Sequence, residues 1–308
     1  MMNDITKKLL ELVSDFKGSF GENAAYNIRE NGECAGRQNS ENITIKSKTD
    51  KSGIDIIVKP GTKGETVYIP ACVTHSDFMD LVYNDFYIGE NSDVTIVAGC
   101  GVHSEGEETA QHDGIHSFFV GKNARVVYLE KHIGTGEGTG KRVINPQTYA
   151  ELAEGSYMEM DTTQIKGVDS TKRLTRANLA GGAKLIIREK IMTHGEQTAE
   201  TDFKVELGGE DSGCDLISRS VAKGHSYQLF RSEILGNTRC TGHSECDAII
   251  MDEGKVSAIP ELTANSLDAA LIHEAAIGKI AGEQITKLET LGLTEEEAEA
   301  TIINGFLK

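Results

Sequence analysis

The chain has 308 residues, with 31 Lys and Arg against 48 Asp and Glu and a net charge of -17. No basic block is present to neutralise phosphates, which argues against a nucleic-acid-binding role, and no run approaches the ~20 apolar residues of a membrane span. The 33 Gly against 4 Pro, with no Trp, favour tight turns over proline-rich linkers. The N-terminus lacks the long apolar core of a signal peptide, so a cytoplasmic protein with reduced thiols is expected. The six cysteines (34, 72, 100, 214, 240 and 246) are scattered through a long chain. That is not a disulfide framework, and a special thiol here is a ligand or a nucleophile.

Residues 4 to 16 read as an amphipathic helix with Asp4 as N-cap and Leu9, Leu10, Leu12, Val13 and Phe16 on its apolar side. Residues 17 to 42 are polar and read as loop. From Ile43 the period changes to two, and short strands follow one another: 43–46, 54–59, 67–73, 86–88, 94–98, 118–120 and 126–129, then 157–160, 185–192, 203–207, 216–221, 227–235 and 248–251. A weak repeat runs through them. Ile88-Gly89-Glu90-Asn91-Ser92-Asp93-Val94 aligns with segments beginning at Val120, Leu152 and Leu179, spaced 32, 32 and 27 residues apart, and less well with Ile250–Val256. Self-similarity at that period marks a repeat architecture, and short strands with tight corners fit a β-solenoid.

At the C-terminus the period becomes helical again. Glu283–Leu291 reads as one helix with Gly292 as its stop. Thr294-Glu295-Glu296-Glu297 is a capping box that opens a second helix to about Asn304, with Gly305 as C-cap. This hairpin cannot bury its apolar side alone and must pack on the solenoid or on a partner. The chain thus divides into an N-terminal helix and loop (1–42), a β core (43–280) and a helical hairpin (281–308).

The chemistry concentrates between Cys240 and Lys279. Cys240 and Cys246 are five residues apart, not the two of a zinc knuckle, and a turn between them would bring both thiols to one site. Thiolates with one or two oxygen or nitrogen ligands suit iron–sulfur clusters or zinc. Equally, each Cys could be a small buried hydrophobe. On a strand, His273 and Glu274 face opposite sides, and Glu245 and Asp247 share the face away from Cys246. Cys214 is a weaker third thiol, and Cys34, Cys72 and Cys100 are read as structural. Gly134–Lys141 lacks the Gly-Lys-Ser/Thr ending of a phosphate loop and reads as a flexible corner. No nucleophile elbow, Walker A loop or helical histidine pair is found, and no catalytic residue is assigned.

Several motifs carry a family resemblance. They are Gly242-His243-Ser244-Glu245-Cys246-Asp247-Ala248, Ala258-Ile259-Pro260-Glu261-Leu262, His273-Glu274-Ala275-Ala276-Ile277-Gly278-Lys279-Ile280, and Gly292-Leu293-Thr294-Glu295-Glu296-Glu297-Ala298 with Gly305-Phe306-Leu307. Over roughly the last 70 residues the chain resembles the SufB/SufD family of iron–sulfur cluster assembly proteins. The resemblance implies a right-handed parallel β-helix and a scaffold, not an enzyme, on which a transient cluster of 4Fe-4S type is assembled and passed on. It implies partnership with a SufC-type ABC ATPase through residues 281–308, and with a sulfur donor and apo-protein acceptors. Cys246 matches the core cysteine of SufB, and His273-Glu274 matches the SufB pair where SufD usually has His-Gly. Cys246, Cys240, Glu274 and His273 are therefore the expected cluster and metal residues. The chain is shorter than full-length SufB, and Thr286-Lys287 replaces the aromatic pair often found after Glu-Gln. Both departures fit a minimal scaffold that pairs with itself in a B2C2-type complex. Two other readings stand beside it: a SufD-like adaptor that recruits the ATPase without holding a cluster, and a solenoid enzyme on acidic polysaccharide. The net charge and the lack of an acid pair or basic cleft argue against the last.

Overall fold

The computed structural model describes residues 2–21 and 24–308. It opens with α1 (Asp4–Ser14), whose N-cap is Asn3, one residue earlier than expected: the Asn3 carboxamide oxygen accepts from the Thr6 N–H at 2.7 Å. There follow β1 (Ala25–Glu30), β2 (Glu33–Gln38), β3 (Ile43–Ser47), β4 (Gly53–Val58), β5 (Lys63–Tyr68) and β6 (Ala71–Val73). The next strands are longer: β7 (Phe78–Ile88), β8 (Asp93–His103), β9 (Ala110–Val120) and β10 (Arg125–Thr135). After β11 (Arg142–Ile144) and β12 (Gln147–Leu152) come β13 (Tyr157–Lys166), β14 (Ser170–Leu179), β15 (Lys184–Thr193), β16 (Thr198–Leu207), β17 (Gly213–Ala222) and β18 (Tyr227–Gly236). β19 (Cys240–Ile250), β20 (Lys255–Ala264) and β21 (Ala269–Gly278) complete the sheets, and α2 (Gly282–Glu289) and α3 (Glu295–Phe306) close the chain.

The architecture is a mainly β solenoid, as the repeat indicated. Successive coils lay one strand on each of two sheets. The first sheet runs β1-β5-β8-β10-β13-β15-β17-β19-β21 and the second β20-β18-β16-β14-β11-β9-β7-β4, all parallel. Antiparallel β1–β2 and β3–β4 pairs close the first end. The strands differ from the sequence reading in two ways. Part of the segment read as loop, residues 17–42, forms β1 and β2. Many strands reach ten or eleven residues, because polar residues at inward positions hide half of each strand from a hydrophobicity reading.

The register reproduces the repeat. Val94 pairs with Val126, Val126 with Met158, and Met158 with Leu185, offsets of 32, 32 and 27. The corners explain the frame. Its fourth position is Asn91, Asn123, Gly155 or Gly182, each in the left-handed region (φ 55 to 67°) that Asn and Gly tolerate. Its fifth position is a buried Ser92, Ala124, Ser156 or Ala183, where only a small side chain fits between stacked coils. The Ser156 hydroxyl donates to the Ala153 carbonyl at 2.7 Å and tightens its own corner.

Aliphatic and aromatic residues fill the space between the sheets. Phe86 and Phe118 stack at 4.3 Å with Tyr128 edge-on to Phe118. α1 lies across the outer face of the first sheet over β8, where Leu9 and Val13 touch bare backbone: a Cβ on Gly99 would come within 2.4 Å of the Val13 carbonyl oxygen. The 134–141 corner lies against the backbone of the neighbouring coil. Gly138 and Gly140 donate to the carbonyls of Ser104 and Gly106 in the coil below, and a Cβ on Gly138 or Gly140 would lie 2.4 or 2.0 Å from that backbone.

The C-terminal hairpin forms with its capping box intact: the Thr294 hydroxyl accepts from the Glu297 N–H, and the Glu297 carboxylate accepts from the Thr294 N–H. α3 continues through Gly305 to Phe306, so Gly305 does not cap it. Ile303, Phe306 and Leu307 pack on Met192, Val221 and Ile249 of the first sheet and on Met251 just after β19. No helix is long and apolar enough to cross a membrane among the described residues.

Candidate functional site

The last strand pair, β19 and β21, carries all four expected site residues. β19 is uninterrupted from Cys240 to Ile250, so the turn expected between the two thiols is absent. Both point into the solenoid, but six strand steps at ~3.3 Å each put them about 20 Å apart. Cys240 and Cys246 therefore do not share a site within one chain.

Cys246 is 1% exposed. It pairs across the ladder with Ser218 on one side and Ala275 on the other. His273 also faces inward, in register with Ser244, and its buried Nδ1 has no hydrogen-bond partner. Glu274 faces outward, exposed, in register with Glu245. The structure thus brings Cys246 and His273 to the inner side as diagonal neighbours and places Glu274 on the opposite face, as strand alternation requires. Glu274 joins Glu245, Asp247 and His243 there; His243 Nδ1 lies 2.7 Å from Asp215. Burial, followed by the Asp247 charge, raises the Glu245 carboxyl. Among the described residues no three ligating side chains converge as a metal centre. Cys246 is held as a thiol: burial first, then the charges of Glu189 and Asp247, pushes it up to about 12. Cys214 is likewise pushed to about 12 by burial.

Cys246 ends a row of buried polar groups that runs between the sheets. Ser218 and Thr201 donate to Glu189 at 2.9 and 2.8 Å. Arg173 Nε lies 3.4 Å from Glu189, and its Nη1 donates to Glu130 at 2.6 Å. Glu130 also accepts from Tyr128 and lies 3.4 Å from His132 Nε2. Beyond His132 stand Cys100, His112 and Asp80, and Asp80 accepts from His112 Nδ1 at 3.1 Å and from Arg29 at 2.6 Å. Burial alone would neutralise these groups. Instead Arg173 and His132 hold Glu130 well below the ordinary carboxylate range despite it. Glu189 is raised, since burial outweighs its partners.

Cys100, read from the sequence as structural, is buried beside Val73 and Val102 and stands in register with His132. Burial pushes its thiol up, but the neighbouring His112 and His132, chiefly the charge of His112, outweigh that and bring it down to about 7. His112 and His132 rise to about 10 and 9 against their own burial, chiefly through Cys100 and Glu130 respectively. The sequence carried a signal for this row. Cys100 shares the inward parity of Val94, Ile96 and Ala98, Glu130 and His132 that of Val126 and Tyr128, and Glu189 that of Leu185 and Ile187.

The chain is thus a two-sheet parallel β-solenoid whose buried polar row reaches a thiol beside its last strands. The SUF-system iron–sulfur cluster assembly SufBD core domain matches residues 79–306, so the chain belongs to the SufBD family. It is 30% identical over 268 residues to an iron–sulfur cluster assembly SufBD family protein of Methanothermobacter thermautotrophicus, covering 85% of this chain and 64% of the relative. It is 30% identical over 276 residues to one of Archaeoglobus fulgidus (88% and 73%) and 25% identical over 228 residues to a chloroplastic one of Arabidopsis thaliana (71% and 41%). The chain spans less than two thirds of the length of the Methanothermobacter relative.

Proposed function

We propose that the chain is a scaffold on which iron–sulfur clusters are assembled, with Cys246 as its central thiol. The observation that carries this reading, within an iron–sulfur assembly family, is the placement of Cys246: inward-facing, at the end of the polar row, and one strand from the end of the first sheet. Cys246, which is a buried thiol in the single chain, becomes a ligand only when β21 moves or a second copy docks. His273 is its nearest inward partner. Glu274, on the outer face, joins the ligand set if strand β21 shifts by one residue, which exchanges its two faces, or if it serves a site shared with another copy. Cys240 is a separate thiol at the far end of β19, in reach of the same partner surface.

β20 and β21 terminate the two sheets. Unpaired strand edges of ten residues are templates for pairing with another chain. Ile259, Ile272 and Ile277 are exposed on these strands, and the inward Leu262 and Leu271 are only partly buried. This supports a homodimer formed end to end, with the Cys246 sites facing the junction. A crevice of about 710 Å³ between the solenoid and the C-terminal helices, lined by Ile250, Met251, Ile280, Ile285 and Glu299, supports docking of a SufC-type ATPase at residues 281–308. Its nucleotide cycle would drive the opening that Cys246 needs. Anaerobic reconstitution with iron and sulfide, read by visible absorption, tests the reading: a 4Fe-4S-type chromophore is expected in the wild type and a loss of most of it in Cys246→Ala.

A further inference from the structure

At the other end of the polar row, Cys100, His112 and Asp80 form a nucleophile, a base and a carboxylate that orients it, the arrangement that activates thiols. Asp80 is fixed in turn by two hydrogen bonds from Arg29, at 2.8 and 2.6 Å. Beside the thiol lies a cavity of about 20 Å³ lined by Asn27, Arg29, Asn84, Cys100, His112 and His116. About 10–15 Å³ suffices for one water, so the space holds one water-sized molecule. A second observation points to an occupant. Asn84 is buried, its Nδ2 lies 3.3 Å from His116 Nε2, and its Oδ1 has no partner in the protein. A buried amide oxygen without a donor is costly, and a small hydroxylic ligand in this cavity would satisfy it.

We propose that Cys100 is a modification site, a reactive thiolate that hydrogen peroxide, the smallest peroxide, oxidises to a sulfenic acid inside the solenoid. Sγ attacks one peroxide oxygen and the O–O bond breaks. The imidazolium of His112 gives its proton to the departing hydroxide, which leaves as water. Sulfur is oxidised by two electrons, the peroxide is reduced, and His112 is left neutral. Asp80 is a positioning residue that holds His112 for this transfer. The cavity selects by size: with Cys100 5% exposed, a protein-borne or bulky electrophile cannot reach Sγ, whereas a peroxide can. The product does not convert to a disulfide, because Cys72, the nearest thiol in the sheet, packs on the outer face under Leu9 and Leu10. The titratable groups around Cys100 are His112 and His116 from β9, His132, Glu130 and Tyr128 from β10, Asp80 from β7 and Cys72 from β6, with Arg29 and Arg173 behind them.

The test is a timed peroxide exposure of the full chain under otherwise anaerobic conditions. It is stopped with catalase, unfolded in the presence of dimedone, and mapped by mass spectrometry. Cys100 should form sulfenic acid about tenfold faster than the exposed Cys34, as its thiolate fraction requires, with a rate rising to half its plateau near pH 7. Asp80→Asn should move that profile to higher pH. His132→Gln, which leaves the Arg29–Asp80–His112 contacts in place, should do the same to a lesser degree and guards against a folding defect in the first variant. Oxidation of Cys34 ahead of Cys100, or a Cys100 rate independent of pH between 6 and 9, would overturn the proposal.

Discussion

Cys246 of β19 stands directly across the ladder from Ser218 of β17, whose hydroxyl donates to the buried Glu189 at 2.9 Å. This thiol therefore sits where the interior polar row meets the main hydrophobic core. That row carries charge through a space that a solenoid of this kind could have filled with aliphatic side chains.

Its first consequence is chemical. Cys246 is pushed up to about 12 by burial and by the Glu189 and Asp247 charges, so in the isolated chain it should resist alkylation. Iodoacetamide at pH 7.5, followed by peptide mapping, should label the exposed Cys34 and leave Cys246 free. Equal labelling of both would mean that β21 opens spontaneously.

A second consequence is energetic. Arg173 bridges Glu130 and Glu189 with all three side chains buried. Removing one member of such a network leaves uncompensated buried charge, at a cost of about 3–5 kcal/mol. Arg173→Met should lower stability by that amount in denaturant unfolding, and adding Glu130→Gln and Glu189→Gln should restore much of it. An unchanged midpoint for Arg173→Met would show that the network is not held as charges.

Acid sensitivity follows from the same groups. Burial opposes it, but the hydrogen bonds and charges of Arg29 and His112 hold Asp80 well below the ordinary carboxylate range. A carboxyl lowered on folding contributes stability above its unfolded value near 4, and that contribution is lost as pH falls further. Glu130 acts in the same sense. Glu189, being raised, acts in the opposite sense and offsets part of it. Unfolding free energy should drop steeply below about pH 4, and Asp80→Asn should flatten that limb while lowering the plateau. A parallel limb in the variant would contradict the assignment.

The repeat frame, the two-sheet solenoid and the C-terminal capping box were legible in the sequence because each rests on local chemistry: left-handed Asn91 and Gly155, small buried Ser92 and Ala183, and the Thr294–Glu297 pair. The length of the strands was not, since His112, Glu130, Arg173 and Glu189 occupy inward positions that alternation normally reserves for apolar residues. β1 and β2 were missed because their sequence, with Asn27, Arg29, Glu33 and Gly36, is polar and pairs only at the capped end. At the site, alternation did separate Glu274 from His273 and Glu245 from Cys246. It could not show that Cys240 and Cys246 share one straight strand, because only the stacking of β17 on β19 sets where that strand begins. Cys100 was passed over because its partners are distant in sequence and meet it only through the coil register.

The free edge of β21 should make the chain self-associate. Ile272→Lys and Ile277→Lys place one charge on each face of that strand, a device by which edge pairing is blocked. Sedimentation velocity should show a dimer for the wild type and a monomer for the double variant, with far-UV circular dichroism unchanged. A wild type that stays monomeric at high concentration would remove the end-to-end interface from the account.

Whether the cluster is built on Cys246 is decided by anaerobic reconstitution of the full chain. Iron and sulfide content and the visible spectrum should be measured side by side for the wild type, Cys246→Ala and Cys240→Ala. A chromophore is expected in the wild type, its loss in Cys246→Ala, and a smaller loss in Cys240→Ala. Equal cluster content in wild type and Cys246→Ala would contradict the Cys246 assignment.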